Sequence, residues 1–132
     1  MSGEAKVVII PCSGIGKALG QVSRIAAFQV LEKKPGVART LCLALLTMGD
    51  KDAAEVVSKT PCIAIDGCPN MCAAKNIEAS KGRLVAKIMV TEILRNNKGL
   101  RPGGIIELNA DGRKLADLVA KEVASKIDTV VD

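Results

Sequence analysis

The stretch Lys6–Gly16, KVVIIPCSGIG, decides how the chain is read. Val7, Val8, Ile9 and Ile10 are consecutive β-branched residues, and such side chains favour extended backbone. The run is short and has no polar alternation. It predicts a strand over Lys6–Pro11 with both faces buried, as in a parallel sheet. Cys12-Ser13-Gly14-Ile15-Gly16 reads as the turn that follows. From about Lys17 to Lys34, Leu19, Val22, Ala26 and Val30 recur at three- and four-residue steps, with Ile25 and Phe28 widening the stripe. That spacing is a helix face, and Pro35-Gly36 closes it.

The same strand–turn–helix grammar repeats downstream. Ala38–Leu46, ARTLCLALL, predicts a second strand that contains Cys42. Asp50–Lys59 predicts a short helix with Asp50 as its N-cap. Pro61–Ile65, PCIAI, predicts a third strand that contains Cys62. Asp66-Gly67-Cys68 is then a turn, and Pro69–Ser80 a helix, because proline is favoured in a first helical turn. Leu84–Val90 predicts a fourth strand, Asn96–Gly104 a loop, and Ile105–Leu108 a short additional strand. Asp111–Ile127 predicts a last helix with Leu115, Leu118, Val119, Val123 and Ile127 on one face. Alternating strands and helices predict an α/β fold: a three-layer, open, mostly parallel sheet of about four strands, Rossmann-like or flavodoxin-like, with helices on both faces. In such sheets ligands gather at the carboxyl ends of the strands. Cys12 follows strand one and Cys68 follows strand three. If these strands are neighbours, their thiols meet on one rim.

A length of 132 residues suits one domain, here residues 1–132. Hydrophobic residues make up 48% of the chain, yet Phe28 is its only aromatic, so the core is expected to be aliphatic. No apolar run approaches the ~18 residues of a membrane span. MSGEAK precedes the first strand without a signal-peptide apolar region. A soluble, cytoplasmic protein with no membrane partner is the expectation. The net charge of +5 comes from interleaved signs, as in Asp50-Lys51-Asp52. Without a basic face interleaved with aromatics, nucleic acid is not an expected partner. Arg95–Arg101 is a basic cluster with no acid in it, and is expected to be loop.

Histidine is absent, which removes the usual base of a hydrolytic triad. The segment GIGKALG, residues 14–20, gives GxGxxxG rather than the dinucleotide GxGxxG. It also has Ala18 where a Walker motif needs Ser or Thr. Five cysteines remain: Cys12, Cys42, Cys62, Cys68 and Cys72. An odd number in a chain without a signal segment points away from a disulfide framework. Cys68 and Cys72 are four apart, which on a helix places both on one face. Soft thiolates select zinc or an iron–sulfur cluster, whereas a lowered thiol pKa serves redox chemistry. Each cysteine also has the simpler reading of a small buried side chain, and that reading suits Cys62 best. Asp66 is expected to cap the following turn, and Gly67 to supply a positive φ or a close backbone approach. Lys17 and Lys75, in the first turns of their helices, either offset thiolate charge or face solvent.

CSGIGKALGQVSRIAA from Cys12, TLCLAL around Cys42 and IDGCPNMCAAKNIE from Ile65 together resemble the DGC-domain family. That family is described as zinc-binding and is named for its Asp-Gly-Cys tripeptide. The resemblance covers roughly residues 6 to 80. It implies a metal site whose four chelating cysteines correspond to Cys12, Cys42, Cys68 and Cys72, with Cys62 as an extra thiol. It carries no defined reaction or substrate. Three readings stand at this point: a zinc site, with an iron–sulfur cluster as a variant; a thiol redox or sulfur- and metal-transfer protein using the same cysteines; and an interaction module in which they only pack. Because Cys42 falls inside a predicted strand, its reach to the rim decides between a closed four-thiolate site and an open one.

Overall fold

The structure is a computed structural model that describes residues 5–12, 18–67, 70–104 and 106–131. Val7–Cys12 forms β1, and Val7, Val8, Ile9 and Ile10 are all fully buried. The chain continues through α1 (Ala18–Lys33), β2 (Ala38–Thr40), α2 (Leu43–Thr47), α3 (Lys51–Lys59), β3 (Pro61–Asp66), α4 (Cys72–Ala79), β4 (Arg83–Met89), α5 (Val90–Asn96) and α6 (Ala110–Val131). The four strands are all parallel, in the order β2-β1-β3-β4. No helix among the described residues is long and apolar enough to cross a membrane.

Burial on both sheet faces explains the uninterrupted aliphatic runs. On one face Val7 and Ile9 join Ile63 and Ile65 of β3, beneath Val22, Ala26 and Val30 of α1 and Leu115, Val119, Val123 and Ile127 of α6. On the other, Val8 and Ile10 join Cys62 and Ala64, beneath Leu46 of α2, Ala53 and Val57 of α3, and Ala73, Ala74 and Ile77 of α4. We call these the first and second cores. Both are aliphatic. Phe28, expected to widen the buried stripe of α1, is 46% exposed instead, with the Arg24 guanidinium 5.8 Å from its ring centroid.

Three segments depart from the sequence reading. The second strand stops at Thr40, and LALLT coils into α2. A short apolar run does not itself distinguish strand from helix, and here Leu46 turns into the second core while Ala44 and Thr47 face out. Val90–Asn96 forms α5, where the pattern predicts no helix. No strand follows it among the described residues, and Ile105 lies outside them. The segment before α6 is organised by one side chain. Asn109 Oδ1 accepts from Gly103 N at 3.1 Å and Gly112 N at 2.7 Å, and Asn109 Nδ2 donates to Arg101 O at 3.0 Å. The predicted N-cap of α3 is observed: Ala53 N donates to Asp50 Oδ2 at 2.9 Å. On β4 the register slips between Cys62 and Ile63, which leaves Val85 without a partner on β3.

This division of the core predicts a contrast between two large side chains. Ile63→Ala empties a fully buried position and should cost about 2–5 kcal/mol in urea unfolding. Phe28→Ala should cost less than about 1 kcal/mol. Equal losses would contradict the all-aliphatic core.

Candidate metal centre

The strand order reverses between β1 and β3, since the chain passes from β1 outward to β2 and returns to β3 on the other side. A crevice opens at the carboxyl ends of such a pair. Cys12 is the last residue of β1 and stands in register with Asp66, the last of β3. Neighbouring strands lie about 4.8 Å apart. Side-chain alternation puts Cys12 on the same face as Val8 and Ile10, and there it packs against the second core with Leu41, Leu43 and Met71. Cys12 is half-buried.

Asp66 is 1% exposed. Its Oδ1 accepts from Ala73 N at 2.8 Å and its Oδ2 from Ala74 N at 3.2 Å. These N–H groups belong to the first turn of α4 and have no partner within the helix. Met71, the N-cap residue, makes no side-chain cap hydrogen bond, so Asp66 caps α4 from the end of β3. Burial pushes the Asp66 carboxyl up, while the Ala73 and Ala74 N–H groups and the Lys75 charge pull it back. Lys75 itself is exposed; Lys17 lies outside the described residues. Gly67 serves close approach, because a Cβ there would stand 2.8 Å from Leu19 O in the first turns of α1. The Asp-Gly pair therefore divides its work. Asp66 holds the start of α4, and Gly67 lets the turn lie against α1.

Met71 has φ 55° and ψ 44°, the left-handed region. For a residue with a Cβ this conformation costs about 1–2 kcal/mol, and it cannot continue a right-handed helix. The helix accordingly begins at Cys72. The sequence predicts a start at Pro69, with Cys68 and Cys72 on one helical face. Pro69 and Cys68 lie outside the described residues, and the helix that holds Cys72 begins at that residue.

Cys42 sits two residues beyond the end of β2, not within a strand as expected. It is the N-cap of α2, in extended conformation, exposed, and without a side-chain cap hydrogen bond. Register pairs Thr40 with Ile9, so Cys42 stands at the same end of the sheet as Cys12, one strand over. Leu41 and Leu43 on either side of it pack against the second core. Cys72 is half-buried, and Ala73 and Ala74 after it enter that core too. Cys12, Cys42 and Cys72 thus stand at one rim of the sheet, and of the three Cys12 packs against the second core. They are a thiol set, the chemistry that soft metals take. Among the described residues, no three Cys, Asp or Glu side chains are grouped as a metal site.

Cys62 is separate from this rim. It is fully buried in β3, and its thiol donates to Thr60 O at 3.2 Å and Val57 O at 3.5 Å. Burial pushes its pKa up to about 11, against the pull of Arg83. The left-handed Met71 is the feature that sequence reasoning misses, since nothing in PNMC marks it.

Two outcomes follow from this geometry. Gly67→Ala should force the turn away from Leu19 and destabilise the fold by about 1–3 kcal/mol; an unchanged urea midpoint would refute the contact. Cys62 should resist iodoacetamide on the native protein at pH 8, where Cys42 reacts. Below pH ~9 the Cys62 thiol keeps its proton in both states; between pH ~9 and ~11 the unfolded chain ionises first, so up to about 2–3 kcal/mol of stability is lost there. Cys62→Ala should lack that loss in unfolding measured from pH 8 to 11.

The DGC-domain family model matches residues 8–105. No curated protein and no solved structure matches the chain. The matched stretch contains β2, β3, β4 and β1 from Val8 onward, the rim cysteines and the Asp66-Gly67 turn whose geometry is described above, and on that match the chain belongs to the DGC-domain family.

Proposed function

We propose that the chain binds one soft metal ion, zinc first, through Cys12, Cys42, Cys68 and Cys72 at the carboxyl rim of β1 and β3. One observation carries the reading. Three cysteines from distant parts of the chain (the end of β1, the segment after β2 and the start of α4) stand at the same end of the sheet. Packing alone gives no reason for thiols at all three places, whereas Cys62 shows how this protein buries a merely structural one. Four thiolates suit structural zinc, and the same donors suit an iron–sulfur cluster. Asp66 is not counted as a ligand, because both of its oxygens already accept backbone N–H groups.

The exposure of Cys42 favours a second reading. A reachable thiol at the same rim as two half-buried ones suits redox, sulfur-transfer or metal-transfer chemistry, with Cys68 working alongside Cys12 or Cys72. Anaerobic purification with metal analysis and a free-thiol count separates the two. The metal reading expects one zinc per chain and four thiols that become titratable only after chelation. Metal-free protein with a reversible disulfide would sink it in favour of the thiol reading, and a brown chromophore would identify an iron–sulfur cluster.

A further inference from the structure

We infer that the cleft between β2 and α3 is a binding site for a small organic phosphate monoester, held by Arg39 and Lys6. The inference is independent of the metal reading, since no cysteine lines this cleft. The cleft has a volume of about 740 Å³, and small-ligand sites run from about 300 to 1,000 Å³. One wall is the sheet, with Lys6 just before β1 and Arg39 on β2. The other is α3, which presents Asp52, Glu55, Val56 and Lys59 along one side. The fold leaves this place open, because α3 packs over β3 and β4 while β2 is the edge strand beyond β1. Arg39 stands opposite Val8, which faces the second core, so its side chain leaves the sheet on the side of α3. Lys6 is tied to the same pair of strands, its N–H donating to Val37 O at 2.8 Å. Both side chains are exposed, and neither has an ion-pair partner among the described residues.

Like charges on neighbouring strands repel. Two cations lining one cleft therefore carry a cost that an anion between them removes. The carboxylates of the opposite wall do not supply that anion. Glu55 Oε1 accepts from Lys59 Nζ at 2.6 Å, so this pair neutralises itself. Asp52 lies in the first turn of α3, where the helix dipole favours a negative charge. With Lys6, Arg39 and Lys59 against Asp52 and Glu55, the cleft keeps an excess of positive charge, and it sits on the sheet wall. A phosphate monoester carries about −1.5 to −2 charges at pH 7, which matches one guanidinium and one ammonium. The guanidinium fork can take two of its oxygens at once. A carboxylate brings a single charge. Val56 and Pro61, both half-buried, add an apolar surface for the organic part of the ester.

Titration of the full chain with phenyl phosphate at constant ionic strength, followed by two-dimensional amide NMR, tests the site. Saturable shifts should fall on Lys6, Arg39 and residues 52–61. Benzoate should bind at least about tenfold more weakly, and inorganic phosphate several-fold more weakly for want of an apolar part. Arg39→Gln and Lys6→Gln, both at exposed positions, should keep the fold and each weaken phenyl phosphate at least about tenfold. Lys114→Gln, on α6 across the sheet, should leave the affinity unchanged. The site is overturned if the shifts do not saturate or spread over exposed lysines throughout the chain. It is equally overturned if benzoate or inorganic phosphate binds as tightly as phenyl phosphate, or if Lys114→Gln weakens binding as much as Arg39→Gln.

Discussion

Five register pairs, from Val8 opposite Cys62 to Cys12 opposite Asp66, join β1 to β3 in the middle of the sheet. Both cores are built on this ladder, because alternate residues of the two strands point to opposite faces. The rim depends on the same register. A slip of one residue would turn every side chain of β1 to the other face. Cys12 would then lie under α1 instead of beside Met71 and the start of α4. Packing fixes the register, and the register places the thiol.

Much of this architecture is legible in the sequence because its causes are local. Four β-branched residues in a row have few alternatives to a buried strand, and the spacing of α1 and α6 is that of a helix. Cys12 at a strand end, and Asp66 as a cap, follow from the same grammar. What escapes has non-local causes. LCLALL is apolar throughout, so nothing in it says whether Leu46 reaches its core as strand or helix. Only the second core decides, and that decision moves Cys42 from a strand to the rim. The left-handed Met71 has no marker, since that conformation normally belongs to glycine or asparagine. Phe28 is misread because aromatics are usually buried, whereas here the helix pair α1 and α6 is filled by small and branched aliphatics.

The five cysteines show how environment divides one residue type. Cys62 is fully buried in β3, and burial pushes its thiol pKa up. Cys12, Cys42 and Cys72 stand at element ends, where backbone leaves the sheet and side chains reach solvent. Asp66 shows the same economy among the carboxylates. It stands opposite Cys12 in register, yet both its oxygens are engaged by α4.

Helix α6 lies wholly beyond the stretch that matches the family model, which ends at residue 105. Yet Leu115, Ala116, Val119, Ala120, Val123 and Ile127 are all fully buried against the face that β1 and β3 present to α1. The boundary of the shared sequence is therefore not the boundary of the folding unit. A fragment cut where the resemblance stops would keep every rim cysteine and expose a broad aliphatic sheet surface. Such a fragment would be a substrate for aggregation before it could be a reporter of metal.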